Sequence, residues 1–122
     1  MRTIIFGVAL LVGVARASCA EPATDPFSTQ FLRETCQQEG TPQSQHFCLG
    51  FLEGAGQVMT VNGYQHHQPF AICPPNNQIP TGTELIQSFI TWADKHPEHW
   101  SEEALPSAAH AFQETWPCQE SK

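Results

Sequence analysis

Apolar residues recur at spacings of three and four along most of the chain, which is the pattern of amphipathic α-helices. No segment alternates apolar and polar residues as a half-buried strand does, and no internal repeat is visible. Four stretches follow the helical pattern and are separated by clusters of proline and glycine, at about residues 26–39, 44–62, 82–96 and 105–116. The pattern therefore predicts an all-α, four-helix domain.

Capping residues indicate where most of the predicted helices begin or end. Asp25 followed by Pro26 is typical of an N-cap and a first helical position, and the first helix is expected to end at about Glu39. The second helix is expected to begin near Ser44, with one buried stripe consisting of Phe47, Cys48, Phe51, Leu52, Ala55, Val58 and Met59. The third begins with a capping box, in which Thr81 and Glu84 each satisfy an amide that has no partner within the helix.

The start of the fourth helix is ambiguous because of Pro106. Ser101 could cap the helix, and Leu105, Ala109, Phe112 and Trp116 then follow at spacings of four, three and four. A proline beyond the first turn removes a hydrogen bond and clashes with an earlier carbonyl. We therefore expect either a kink at Pro106 or a new helix start at Leu105-Pro106.

The N-terminal 20 residues have the features of a secretory signal peptide. A basic Arg2 precedes an apolar run from Ile4 to Val14, which is too short for a mature membrane anchor, and small residues follow it. Cleavage is expected after Ala20, with Ala17 as the second choice. Residues 21–122 then form a single domain.

The exported chain is strongly acidic. The full sequence has a formal net charge of −7, and signal removal leaves three basic residues, Arg33, Lys95 and Lys122, against 12 acidic ones. This charge disfavours nucleic acids and anionic lipid as partners and favours encounter with a basic protein surface, although it also serves solubility.

Four cysteines remain after cleavage, namely Cys36, Cys48, Cys73 and Cys118, and an even number in an exported chain predicts disulfides. Helices joined by short loops pack antiparallel, which brings Cys36 near Cys48 and Cys73 near Cys118. We predict these two pairs. On a chain-entropy model they would contribute about 3 and about 4 kcal/mol.

Gly50 and Gly54 lie one turn apart in the second predicted helix, where each costs about 1 kcal/mol relative to alanine. We interpret them as a face that a second helix approaches closely. Another helix of the same domain is the preferred neighbour, and a homodimer seam is the alternative.

Four short motifs succeed one another along the chain: Cys48-Leu49-Gly50-Phe51-Leu52-Glu53-Gly54, Cys73-Pro74, His96-Pro97 and Trp116-Pro117-Cys118. In these motifs the sequence resembles the Rap/Tai immunity proteins over residues 36–118. The resemblance implies an exported, all-helical protein of the Gram-negative periplasm. It also implies that the chain binds a type VI secretion amidase and blocks the cleavage of the cell's own peptidoglycan.

Two irregular connections are the candidate partner-binding surfaces. Exposed aromatic residues flanked by polar ones often anchor interfaces, and the connection over residues 63–80 carries Tyr64, His66, His67 and Phe70. The alternative is a loop folded onto its own domain with Phe70 buried. The second connection supplies His96, His99 and Trp100. We expect one or both connections to block the amidase cleft.

Catalytic and metal chemistry are weakly supported. His66-His67 and His96-x-x-His99 have no third ligand fixed by spacing, so neither a metal nor another cofactor is predicted. Adjacent Glu102 and Glu103 would diverge on a helix, and no serine nucleophile motif occurs. We predict no enzyme; the alternative function is an acid-stress chaperone or another helical binding protein of the periplasm.

Overall fold

A computed structural model describes residues 25–37, 41–65 and 69–119. The predicted all-α fold is confirmed: four helices pack together, and the described residues contain an isolated two-residue bridge but no strand. The helices are α1 (Thr29–Cys36), α2 (Pro42–Tyr64), α3 (Gly82–Lys95) and α4 (Ala104–Thr115). Among the described residues, no helix is both long and apolar enough to cross a bilayer. The signal peptide predicted for residues 1–20 lies outside the described residues.

α1 begins later and ends earlier than the sequence pattern predicts. Ser28, not Asp25, is the N-cap, because its hydroxyl accepts a hydrogen bond from the Phe31 amide, whereas Asp25 closes a turn before the helix. The backbone of Gln37 is extended, which ends the helix at Cys36 instead of about Glu39. α1 is therefore only eight residues long, too short to be stable without tertiary contacts.

The first turn of α1 receives those contacts from the segment before α4. The Thr29 and Gln30 amides donate to the carbonyls of Glu102 (2.8 Å) and Trp100 (2.9 Å). In return, the Ala104 amide donates to the Phe27 carbonyl over 2.6 Å. This exchange satisfies amide groups at the starts of both helices that have no partner within their own helix.

α2 buries most of the predicted stripe, with Phe51 and Ala55 partly buried against the core, but its buried face is shifted. Cys48, Leu52 and Met59 are buried as expected, but Phe47 and Val58 are exposed, and Gly56, Thr60 and Gly63 take buried positions instead. The Thr60 hydroxyl is satisfied within the helix by the Gly56 carbonyl at 2.7 Å. The stripe omitted Gly56, Thr60 and Gly63 because it counted apolar side chains only, whereas the neighbouring elements also pack against small residues and a polar residue bonded within the helix.

The capping box of α3 is confirmed. The Glu84 amide donates to the Thr81 hydroxyl, and the Glu84 carboxylate accepts from the Thr81 amide at 2.8 Å. The helix buries Leu85, Phe89, Trp92 and Ala93.

α4 starts at Ala104, so the predicted cap at Ser101 is wrong and the alternative of a new start is correct to within one residue. Pro106 then lies in the first turn, where its missing N–H breaks no helical hydrogen bond. Leu105, expected in the core, is 54% exposed, while Ser107 and Phe112 are fully buried. The Ser107 hydroxyl is satisfied by that of Thr29, which donates to it at 2.7 Å.

The core lies between all four helices and includes Ala71 and Ile72 of the α2–α3 connection. Its largest fully buried apolar side chains are Leu32, Leu52, Ile72, Leu85, Phe89 and Phe112. Cys36 is bonded to Cys48 and Cys73 to Cys118, which is the pairing that the helix layout predicts. No buried side-chain nitrogen or oxygen of the described residues lacks a hydrogen-bond partner.

The prediction that Gly50 and Gly54 admit another helix of the same domain is wrong. Both residues are exposed, and a Cβ built on either would meet no other described atom within 4 Å. The close approaches occur at Gly56, where a Cβ would lie 2.7 Å from a Leu85 methyl, and at Gly63, where it would overlap the Ile72 carbonyl. The sequence could not show which glycines face the core.

Gly63→Ala is expected to lower the free energy of unfolding by about 1–3 kcal/mol, as overpacking does. The Ile72 carbonyl cannot move cheaply, because the Ile72 amide is bonded to the Met59 carbonyl. Gly54→Ala is the matched control: it fills open space and should raise the free energy by about 0.5–1 kcal/mol through helix propensity. Urea unfolding at low protein concentration measures both. Equal effects of the two substitutions would contradict the packing assigned to Gly63.

The Glu84 cap should make stability depend on pH. Hydrogen bonds from the Thr81 hydroxyl and amide hold the pKa of Glu84 below its ordinary value. The ionised carboxylate thus stabilises the fold above its unfolded pKa, and this contribution is lost as pH falls through the lower folded pKa. We expect Glu84→Ala to lower the melting temperature at neutral pH and to differ less from the parent in acid.

Glu84→Gln keeps an acceptor oxygen but has no titratable charge. It therefore separates the contribution of the hydrogen bond from that of the carboxylate charge. A difference between parent and Glu84→Ala that stays constant from neutral to acidic pH would contradict the role of the charge.

Candidate protein-binding surfaces

The α2–α3 connection folds back onto the helices. The Ile72 amide donates to Met59 O (3.1 Å), and the Cys73 amide to Trp116 O (3.0 Å). Ile72 is fully buried, and the Cys73–Cys118 disulfide ties the segment to the end of α4. The described part of the connection is therefore packed into the domain, which fixes the backbone near Ile72 and Cys73.

Phe70 stays outside although the connection folds inward. Its side chain is 54% exposed, and Ile72, two residues later, occupies the buried position. The alternative of a buried Phe70 is therefore wrong. The Phe70 carbonyl accepts from the Asn62 side chain at 2.9 Å, so the ring is presented from an anchored backbone.

Tyr64, in the last turn of α2, and Ile79, in the α2–α3 connection, are also exposed. The Tyr64 hydroxyl donates to the Asn77 carbonyl, which links the last turn of α2 to the 3₁₀ turn Pro75–Asn77. Asn76 and Asn77 both have positive φ, a conformation that asparagine tolerates better than most residues and that often marks functional loops. We call Tyr64, Phe70 and Ile79 the Phe70 surface.

The second candidate surface is a 3₁₀ turn, Pro97–His99, between α3 and α4. Trp100 is largely structural here: its indole N–H donates to the Ala93 carbonyl at 2.8 Å, and the Arg33 guanidinium lies 4.6 Å from its ring centroid. Arg33 is in turn paired with Asp94 at 2.6 Å. These contacts attach the turn to α1 and α3.

His96 and His99 rest on the buried ring of Trp92, with ring centroids 4.5 and 5.3 Å from it. Glu98 lies between the two histidines, 3.0 Å from His96 Nδ1 and 3.9 Å from His99 Nε2. Its own backbone amide, and then the His96 ring, hold the pKa of Glu98 below its ordinary value. The turn thus places the Glu98 carboxylate beside the two histidines, as a third side chain of a type that can bind a metal. Residue spacing alone does not indicate this grouping.

The two predicted surfaces are formed by connections that meet α4 at different points along the chain. Gln113, near the end of the helix, donates to the Pro69 carbonyl at 2.6 Å, whereas the Pro97–His99 turn precedes its start at Ala104. A helix of 12 residues separates its ends by about 18 Å.

The remaining candidate residues of the sequence analysis do not belong to these two surfaces as described. His66 and His67 lie outside the described residues. The exposed Gly50 and Gly54 share a face of α2 with Phe47, Val58 and Val61, which we call the glycine face. The sequence analysis did not single out Ile79, Trp92 or Glu98. The local sequences around Ile79 (Ile-Pro) and Glu98 (Pro-Glu-His) match no motif specific enough to identify a binding residue.

The cysteines and Ser88 of the described residues are poorly placed to act as nucleophiles in covalent catalysis. The cysteines at 36, 48, 73 and 118 are consumed in disulfides. Ser88 lines an open groove between α3 and α4, and its hydroxyl is shared with Thr115 and the Ala111 carbonyl instead of a general base. Among the described residues, Arg33 and Lys95 are the only arginine and lysine, and Asp and Glu outnumber them, so this part of the chain is acidic.

Comparison with protein-family models matches residues 28–118 to the Rap1a immunity proteins. Neither the curated proteins nor the solved structures contain a significant match to the chain. An immunity protein binds a secreted protein effector and neutralises it, a role that requires a surface and not a catalytic centre. Because the match covers most of the 122 residues, the chain belongs to the Rap1a immunity protein family.

Proposed function

We propose that this chain is a periplasmic immunity protein that binds a type VI secretion amidase and blocks its cleavage of peptidoglycan. The signal peptide predicted for residues 1–20 would deliver it to the compartment where such an amidase acts. Two disulfides fit an oxidising compartment. The family match supports the immunity role, while the amidase as target and the periplasm as location rest on the sequence resemblance and the signal peptide.

The observation that carries the proposal is the Phe70 surface. Tyr64, Phe70 and Ile79 are exposed, yet backbone hydrogen bonds and a disulfide hold the segment that presents two of them. A preorganised aromatic anchor loses little conformational entropy on binding. Such anchors carry most of the free energy of many interfaces.

The Phe70 surface suits a blocking role better than the Pro97–His99 turn. Trp100 of that turn is already engaged by Ala93 and Arg33, and both histidines are about two-thirds covered, packed on Trp92. Tyr64, Phe70 and Ile79 leave more apolar area to bury. We therefore assign the amidase contact to Phe70 and its neighbours, with His66 and His67 as adjoining contacts.

The alternative function, an acid-stress chaperone, would be supported by buried side chains that become charged or neutral in acid, and the described residues show none. The buried polar side chains of the described residues are Ser28, Thr29, Thr35, Thr60 and Ser107, none of which titrates. Protonation in acid would therefore uncover no buried charge in that part of the chain. Circular dichroism and light scattering between neutral and acidic pH separate the two functions, because an immunity protein should stay folded.

Phe70→Ala is expected to weaken the complex with the cognate amidase by about 2 kcal/mol, the size of an interface hot spot. The amidase is sought first among the products of neighbouring genes. Calorimetry measures the affinity, and hydrolysis of purified peptidoglycan measures the inhibition.

Leu105→Ala is the matched control, since Leu105 is also apolar and 54% exposed but lies at the opposite end of α4. Its affinity should equal that of the parent. Loss of binding in Leu105→Ala with full binding in Phe70→Ala would place the contact at the other end of the molecule.

The glycine face supports the homodimer alternative. Gly50 and Gly54 leave open space that nothing described in the domain fills, and Phe47, Val58 and Val61 flank them. None of these five residues is charged, so two acidic chains could meet here without juxtaposing like charges. Backbone approach at small residues would then account for the glycines.

Gly54→Leu should shift sedimentation from dimer to monomer, because the leucine side chain would keep the two helices apart. The thermal midpoint of the monomer should not fall, since the position is open within the domain. A parent chain that sediments as a monomer at every concentration would rule out the seam.

A further inference from the structure

The connection between α3 and α4 gathers two imidazoles and a carboxylate. One ligand atom from each of His96, Glu98 and His99 lies within 4.8 Å of the other two. In a tetrahedral zinc site with bonds of about 2.0–2.1 Å, ligand atoms are about 3.3 Å apart. Small side-chain rotations therefore bring the three atoms to coordination distance.

We propose that His96, Glu98 and His99 bind a Zn²⁺ ion. His96 Nδ1, the Glu98 carboxylate and His99 Nε2 are the three protein ligands, and water takes the remaining position. Two imidazole nitrogens and one carboxylate oxygen form a donor set that suits zinc and its first-row neighbours and not calcium or magnesium.

Glu102 supplies an independent reason to assign the site. Its carboxylate accepts a hydrogen bond from His99 Nδ1 at 2.7 Å. That bond fixes the proton on Nδ1 and leaves the lone pair on Nε2, the nitrogen that faces Glu98. A carboxylate behind a histidine in this way orients the ring and raises its basicity in zinc sites.

The frame beneath the site is rigid. His96 and His99 lie against Trp92, whose indole N–H donates to Glu114 at 3.0 Å. Backbone hydrogen bonds from His99 to His96 and from Glu102 to His99, both 3.0 Å, hold the turn. Metal binding therefore requires side-chain rotation and a tautomer change at His96, but no rearrangement of the helices.

The test is calorimetric titration of ZnCl₂ into untagged, chelator-treated protein, with imidazole nitrogen shifts followed by NMR. We expect one ion per chain and shifts at His96 and His99. His96→Gln and His99→Gln should each abolish detectable binding, and Glu102→Gln should weaken it by about 10–100-fold. Circular dichroism checks that each variant is folded.

Two controls keep the proposal falsifiable. His46→Gln removes an exposed histidine of α2, and a His66→Gln, His67→Gln double variant removes the competing pair; both should bind zinc as the parent does. No binding by the parent would overturn the site. So would binding that survives in His96→Gln and His99→Gln, or that disappears in the double variant. The measurement needs no amidase, so its outcome is separate from that of the proposed function.

Discussion

The start of α1 and the segment before α4 depend on one exchange of backbone hydrogen bonds. Thr29 and Gln30 donate to Glu102 and Trp100, and Ala104 donates back to Phe27. Eight residues do not form a stable helix in water, so α1 exists because this exchange and its buried face hold it. The same bonds fix the backbone from Trp100 to Ala104, which sets the geometry of the preceding histidine turn.

Two disulfides extend this constraint to the remaining connections. Cys36–Cys48 closes the α1–α2 connection, and Cys73–Cys118 joins the α2–α3 connection to the end of α4. The second closes 45 residues of chain and so restricts the unfolded state more strongly than the first, which closes 12. The same disulfide holds the segment that follows Phe70 against the end of α4, and so supports the surface proposed to bind the partner.

Recognition and metal binding are proposed for two separate connections, and a different core residue supports each of them. In the α2–α3 connection, a buried Ile72 anchors the backbone so that an aromatic ring two residues earlier can remain exposed. At the α3–α4 connection, a buried Trp92 supports two imidazoles whose remaining edges face solvent. In both places a core residue positions a surface residue, so both proposed functions depend on the packing of the core.

Local sequence alone determined the helical class, the α3 cap and the number of helices, because periodicity and capping act over a few residues. The cysteine pairing also followed once the helices were ordered. Only the tertiary structure decided the start of α1 and which glycines lie in the core, since Gly54 and Gly56 differ in the neighbours that they meet. It also decided that Ile72 is buried instead of Phe70, and that Glu98 joins two histidines. These outcomes depend on residues distant in sequence or on a turn's three-dimensional path, which spacing along the chain does not encode.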